Sequence, residues 1–213
     1  MVELEEIIVN QETLRRAPRV ANHEAENRAL RILAAEMEKP GGDVLAKLAD
    51  VARELCGGHS AGISLIETDG LKTLFRWHAV AGRWAPHAGG GMPRDASPCG
   101  VVVDRNATLL MSQPGTYFPM MAEVDPLAYE ALLAPFHMLG EPVGTVWVVT
   151  HDDSHKFDSE DVRVVESLAR VASAAYLVRS EIRLALEARD EALRANDRLK
   201  RANQKLSEKL GLI

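Results

Sequence analysis

The last quarter of the chain carries apolar or small residues at a seven-residue spacing. One set of positions comprises Leu168, Ala175, Ile182, Arg189, Asn196, Asn203 and Leu210, and the interleaved set comprises Val171, Val178, Ala185, Ala192, Leu199 and Leu206. These are the a and d positions of a heptad repeat, which predicts a helix that pairs with another as a coiled coil. We expect a homodimer through this C-terminal helix, with contacts at Ile182, Asn196, Leu199, Asn203 and Leu206.

Three of the a positions hold the polar residues Arg189, Asn196 and Asn203. Asn at position a lowers stability but favours parallel two-stranded pairing, so we expect a parallel dimer in register. The alternative is an ordinary amphipathic helix that packs on its own domain. That alternative suits residues 168–178 better than the polar stretch 194–209.

Length and charge restrict the remaining possibilities. With 213 residues, the chain has room for about one globular domain besides the long helix. The net charge of -6 gives no basic face, so we expect no nucleic-acid partner. We find no long apolar stretch and no basic, apolar leader, so we expect no membrane partner and a cytoplasmic location. Cys56 and Cys99 lack metal-ligand spacing, so we expect no metal site.

Periodicity divides the chain into three parts, residues 1–42, 43–178 and 179–213. Residues 1–20 show no clear period and are predicted to be an extension that orders on a partner. Amphipathic helices are predicted at 22–39 and 44–55, the second capped by Asp43 and ended by Gly57 and Gly58. Strands are predicted at residues 61–67, 73–82, 108–111, 131–139 and 143–150. The final helix is predicted to begin at Asp158, which caps it, and to run unbroken to about residue 210.

Hairpins at both ends of the central part indicate an α+β fold with helices on one face of a single antiparallel sheet. The other face and the central loops are then expected to form a pocket.

Four segments of the chain resemble the GAF domain of bacterial sensor proteins. They are AGISL (61–65) after the CGG turn (56–58), PRDASPCG (93–100), PVGTVW (142–147) and FDSED (157–161). The resemblance covers about residues 43–178. It implies a GAF/PAS-like central sheet of six antiparallel strands with flanking helices, a small-molecule pocket on one face and terminal helices that dimerise. It also implies a downstream effector domain or protein as a partner.

The segment around Cys99 is the place where chemistry would be expected. Ser97 can cap a helix and Pro98 suits its first position, so Cys99 lies in the first turn. A helix N-terminus stabilises a thiolate, and its free amides can hold an anionic ligand. The alternative is that Cys99 is a small buried filler, as free cysteines usually are.

Three more specific hypotheses involve this segment or nearby histidines. Free methionine-R-sulfoxide reductases resemble the chain at Cys99-Gly100, but their further cysteine has no counterpart in residues 116–123. A bilin attached to Cys99, as in phytochrome-like domains, is disfavoured because Gly100 stands where those domains have His. A non-covalent haem could use His78, His87 or His137 as its axial ligand.

Aromatic, sulfur-containing and basic side chains around the expected pocket are the candidate ligand contacts. No catalytic residue is expected. The ligand-binding candidates are Trp77, His78, His87, Arg94, Ser97, Cys99, Tyr117, Phe118, Met120 and His137.

Together these patterns predict a non-catalytic sensor of a small molecule, of redox state or of light, which signals through a parallel coiled-coil dimer. A tetrapyrrole or another metabolite is a candidate ligand. The competing interpretations are a redox enzyme that uses Cys99 and a structural dimerisation module whose pocket is filled by side chains.

Overall fold

A computed structural model describes residues 2–70 and 72–209. The chain forms two compact units, the first ending at Ala175 and the second beginning at Tyr176. The helices are α1 (Leu4–Ile7), α2 (Asn10–Arg15), α3 (His23–Glu38), α4 (Val44–Leu55), α5 (Pro98–Arg105) and α6 (Ser159–Lys209). The strands are β1 (Ser60–Asp69), β2 (Lys72–Gly82), β3 (Gly91–Pro93), β4 (Leu109–Ser112), β5 (Glu130–Met138) and β6 (Glu141–Thr150). The described part of α6 includes every heptad position except Leu210, which lies outside the described residues.

The six strands form one antiparallel sheet in the order β3-β2-β1-β6-β5-β4. This confirms the predicted α+β architecture. Five strands match the predicted segments within a few residues. The sixth, β3, is only three residues long and follows a run of glycines, so it carries no alternating pattern that could predict it.

Local capping chemistry explains where helices α4 and α6 begin. The side chain of Asp43 accepts a hydrogen bond from the Ala46 amide at the start of α4. At α6, Asp158 accepts from the amides of Glu160 and Asp161, while the Asp161 carboxylate accepts from the Asp158 amide. This reciprocal arrangement is a capping box and confirms the predicted helix start.

One face of the sheet is covered by helices. Leu45, Leu48 and Ala52 of α4 are buried, and α4 packs across β1 and β2. Helix α3 packs on α4 and buries Ala29 and Leu33. The N-terminal turns of α6 are buried in the same unit through Val164, Val165, Leu168 and Ala172.

Residues 2–20, here called the N-terminal segment, are ordered on the chain's own domain, so the prediction that they order on a partner is wrong. Ile8 pairs with Met111 on the edge strand β4. The Asn10 side-chain amide donates to the Thr108 carbonyl just before β4, and its oxygen accepts from the Leu110 amide within β4. Arg16 forms a bidentate ion pair with buried Glu130. These contacts join residues about a hundred positions apart, so no local pattern in the sequence could reveal them.

The opposite face of the sheet carries α5, the short 3₁₀ turns and an apolar cluster that includes Trp77, Cys99, Leu133 and Trp147. We call it the site face. Within the described residues, no helix is both long enough and apolar enough to span a bilayer.

Candidate functional site

Three tryptophan rings dominate the site face. Trp77 projects from β2, Trp84 lies just after β2, and Trp147 projects from β6. Their ring centroids are 5.8 Å (Trp77 to Trp84), 6.0 Å (Trp77 to Trp147) and 5.7 Å (Trp84 to Trp147) apart. The chain has three tryptophans in all, and each belongs to this cluster, here called the Trp triad.

Strand β1 makes room for the Trp triad because two of its residues beside the triad, Gly62 and Ser64, are small. A Cβ atom on Gly62 would lie 2.3 Å from Cζ2 of Trp147, closer than packed carbon atoms approach. Ser64 accepts a hydrogen bond from Nε1 of Trp147 at 2.9 Å, and the Pro126 carbonyl accepts one from Nε1 of Trp84 at 2.7 Å. Two of the three indole N–H groups are thus satisfied inside the core, as burial requires.

Cys99 lies in the first turn of α5, as predicted, and it is buried there. Ser97 caps the helix by accepting from the Gly100 amide, and Pro98 occupies the first helical position. Burial raises the pKa of the Cys99 thiol, which also accepts a hydrogen bond from the Thr145 hydroxyl at 3.2 Å. Desolvation thus opposes the effect of the helix terminus, and the burial of Cys99 agrees with the alternative that it is a small buried filler.

Packing of the Trp triad leaves little space beneath α5. The cavity there is about 20 Å³ and is lined by Trp77, Trp84, Trp147, Cys99 and other apolar side chains. That volume holds about one water molecule. A cavity of this volume, lined by these side chains, does not fit a tetrapyrrole.

Several predicted site residues do meet on the site face. Trp77, Cys99 and Phe118 belong to the same buried cluster, and Ser97 is the buried cap beside it. His87 stands edge-on to Trp77, and its Nε2 atom lies 3.1 Å from the Asp125 carbonyl oxygen.

His78 and His137 do not join this cluster. His78 is the extra residue of a bulge in β2, because Trp77 pairs with Ser64 and Ala79 pairs with Ile63. The Nε2 atom of His78 lies 3.7 Å from the Asp43 carboxylate at the start of α4. The Nε2 atom of His137 lies 2.7 Å from Asn106 Oδ1 in a separate surface groove. The candidate haem ligands His78, His87 and His137 therefore do not converge on one pocket.

The other three candidates lie at the surface or pair within the chain. Arg94 forms an ion pair with Asp104 on α5, so its guanidinium is already engaged. Tyr117 and Met120 are exposed on the turns that follow β4.

A larger cavity of about 430 Å³, here called the outer cavity, adjoins the site face. It lies between the 3₁₀ turns Pro114–Thr116 and Pro119–Glu123, the start of β5 and the end of β6. Its walls are formed by Gln113, Gly115, Thr116, Met121, Ala122, Leu127, Ala128, Tyr129 and His151. None of the ten predicted ligand contacts is among these residues.

His151 connects the outer cavity to the Trp triad. Its Nδ1 atom lies 2.9 Å from the Leu127 carbonyl oxygen, which can only accept, so Nδ1 carries a proton. Its Nε2 atom lies 2.8 Å from the Ser60 hydroxyl, which accepts from the Trp84 amide at 3.0 Å. Burial lowers the pKa of His151, and the neutral ring is the stable form.

The outer cavity could not be predicted from sequence patterns, because its residues come from separate segments and share no motif. A lone histidine after a strand, such as His151, looks like an ordinary surface residue. Trp84 and Trp147 could have been predicted, since Trp84 follows shortly after the predicted contact Trp77 and Trp147 belongs to the PVGTVW segment (142–147) that carries the family resemblance.

Comparison with known proteins gives a consistent family assignment. A family profile described as GAF domain matches residues 42–176. No curated protein sequence matches the chain significantly.

Similar solved structures share the fold at low sequence identity. The GAF domain of a phosphoenolpyruvate-protein phosphotransferase from Coxiella burnetii has 18% identity and a TM-score of 0.61, over 78% of this chain and 99% of that one. The free methionine-R-sulfoxide reductase of Neisseria meningitidis has 18% identity and a TM-score of 0.57, over 76% and 95%. The GAF-B domain of DevS from Mycobacterium smegmatis has 17% identity and a TM-score of 0.54, over 66% and 96%. The profile match covers more than half of the chain, and the chain therefore belongs to the GAF domain family.

Proposed function

We propose that this chain is a ligand-regulated signalling module that acts as a parallel homodimer through its C-terminal helix. The observation that carries the proposal is the exposure of apolar heptad residues in the second unit. Val178, Ile182, Leu199 and Leu206 are 45%, 56%, 64% and 55% exposed.

Such a helix gains stability by covering its apolar stripe. Residues 176–209 would extend about 50 Å at 1.5 Å per residue, and a long helix in water depends mainly on packing for its stability. A second copy of the same helix supplies matching residues at every a and d position. Asn196 and Asn203 at position a support pairing in parallel and in register.

Continuity of α6 offers a route from ligand to output. The helix starts inside the GAF domain at the Asp158 capping box and runs to Lys209 without a break. A ligand that binds the domain more tightly in one arrangement of residues 159–175 would shift the population of helix arrangements in the dimer.

Thiol catalysis is less well supported. The chain's two cysteines are both buried, and burial raises the pKa of each thiol. Cys99 packs in the apolar cluster of the site face, whereas Cys56 ends α4 on the other side of the sheet. Sulfoxide reduction needs a second thiol that can reach the oxidised one.

The structural-module alternative has one observation in its favour, since the Trp triad fills the interior beneath α5. In that case the helix would still pair, but no small molecule would change its pairing. Ligand binding separates the two functions, whereas dimerisation is common to both.

Sedimentation equilibrium tests the dimer. The wild-type protein should sediment at twice the 23.3 kDa chain mass. The double variant Leu199→Glu, Leu206→Glu should shift the equilibrium towards monomer, because it places four carboxylates in the seam. The control variant Arg198→Glu, Lys205→Glu changes more charge at outward-facing c positions and should remain dimeric. A wild-type monomer, or equal behaviour of the two variants, would overturn the proposal.

A further inference from the structure

The outer cavity has the size of a small-molecule site. Its volume of about 430 Å³ falls within the range of roughly 300–1,000 Å³ typical of ligand pockets. Apolar side chains, including Met121 and Leu127, form much of its wall, and Gln113, Thr116 and Tyr129 supply polar groups.

The wall of the cavity carries no formal charge. Among the described residues that line it there is no Asp, Glu, Lys or Arg, and its one titratable imidazole, His151, is held neutral by burial. Moving a charged group out of water into such a cavity is costly unless an opposite charge compensates it. The lining residues therefore offer no opposite charge to a carboxylate, a phosphate or an ammonium group; Lys156, whose Nζ atom lies 5.8 Å from the Tyr129 ring centroid, is not among them.

The backbone of Gln113 supports a functional role for this cavity. Its backbone is in the left-handed region, with a φ of 44°, which residues other than glycine seldom adopt. The conformation is held because its amide donates to the Tyr129 carbonyl and its own carbonyl accepts from the Thr116 amide. A strained residue fixed in this way is a feature that often accompanies ligand sites.

Two residues connect the outer cavity to the interior beneath the Trp triad, so a bound ligand would contact both. Met121 lines both the outer cavity and the small cavity beneath the Trp triad. His151 also borders the outer cavity and is bonded to Ser60, which holds the Trp84 amide. A ligand there would touch the groups that position the triad without entering the filled interior.

We propose that the outer cavity is the ligand site. Its ligand is an uncharged, largely apolar molecule, about as large as a two-ring aromatic compound, with one hydrogen-bonding group. This inference rests on the proposed ligand-regulated function and names the class of ligand for it. Gln113, Thr116 and Tyr129 bind the polar group, while Met121 and Leu127 contact the apolar body.

Calorimetric titration with two matched probes tests this assignment at pH 7.5. The probes are 2-naphthalenemethanol, which is uncharged, and 2-naphthoate, which has the same rings and a carboxylate. We expect the alcohol to bind with a Kd on the order of 0.1–1 mM, and the carboxylate at least about tenfold more weakly.

Three variants locate the binding. Ala122→Phe fills the outer cavity and should abolish binding of the alcohol, whereas Ala35→Phe on the exposed side of α3 should leave it unchanged. Gln113→Lys adds a positive charge to the wall and should reverse the preference towards 2-naphthoate. This last variant gives a gain of binding, which a loss of folding cannot imitate.

Three outcomes would overturn the inference. They are failure of wild-type protein to bind the alcohol at about 1 mM, equal binding of both probes, or full binding by the Ala122→Phe variant. Sedimentation of the same samples separates the two proposals. A dimer that fails to bind refutes only the ligand site and class, whereas a monomer that binds refutes only the dimeric signalling module.

Discussion

Loss of one partner of the ion pair between Arg16 and Glu130 should be one of the most destabilising single changes in the first unit. Two hydrogen bonds of 2.9 and 2.6 Å join the guanidinium to the carboxylate, and the side chains are only 20% and 3% exposed. Arg16 also donates to the Phe157 carbonyl at 2.6 Å, and the Phe157 amide donates to Glu130 at 3.1 Å. Removing either partner therefore leaves several buried polar groups without a bond.

The magnitude follows from that geometry. Breaking a buried pair costs about 3–5 kcal/mol, and partial exposure of Arg16 places Glu130→Ala near the lower end. We expect about 3 kcal/mol for Glu130→Ala and about 4 kcal/mol for Arg16→Ala, because the second change leaves the buried Glu130 carboxylate without its charge partner. The free energy of unfolding of the double variant should be lower by about 4–5 kcal/mol, because removing the second partner leaves no buried charge unpaired. The coupling energy in this double-mutant cycle should thus be about 2–3 kcal/mol.

Urea unfolding of the four proteins at pH 7 measures these differences through the midpoint and the slope. Trypsin supplies a second assay, because the single variants should expose Arg15 and Arg19 to faster cleavage than in wild type. Additive free energies, within about 0.5 kcal/mol, would refute the claim that this pair attaches the N-terminal segment to the domain.

Three further predictions concern the site face. Gly62→Ala should destabilise the protein by about 3 kcal/mol in urea unfolding, because the new methyl group would meet the Trp147 ring and the backbone oxygen of Ala79 at 2.3 and 2.5 Å; a change below about 0.5 kcal/mol would contradict this packing. The pKa of His151 is lowered by burial, so the unfolded state takes up its proton first, and stability should fall as pH drops through about 6.5. His151→Gln should flatten this part of the pH profile, and an unchanged slope would show that another group is responsible. Cys99 should react with a thiol reagent in native protein orders of magnitude more slowly than in urea-unfolded protein, and rapid native labelling would contradict its burial.

Local chemistry made much of the fold predictable. The helix caps at Asp43, Ser97 and Asp158 could be predicted, because each involves residues within three positions of one another in the sequence. The hairpins followed from alternating apolar residues around turn signals. The short strand β3 and the fold of the N-terminal segment could not be predicted, since both depend on tertiary pairing and not on local sequence preference.

The site was less predictable than the fold. Residue type suggested Trp77 and Cys99 correctly as neighbours on one face, but it could not show that the tryptophans would fill that face. Nor could it show that desolvation would oppose the effect of the helix terminus at Cys99. The outer cavity depends on three segments meeting in space, and one of its residues, His151, is defined by bonds to Ser60 and Leu127 far away in the chain.

Disulfide cross-linking between identical positions of the C-terminal helix tests the parallel signalling dimer most directly. Cys56 and Cys99 are buried, so a cysteine introduced on the tail is the reactive one in native protein. Position 199 is a d position, and in a parallel dimer in register the two copies of it face each other. Leu199→Cys should therefore form a covalent dimer rapidly under mild oxidation, whereas Arg198→Cys, which points outward, should not. Equal cross-linking at both positions, or none at position 199, would contradict the account.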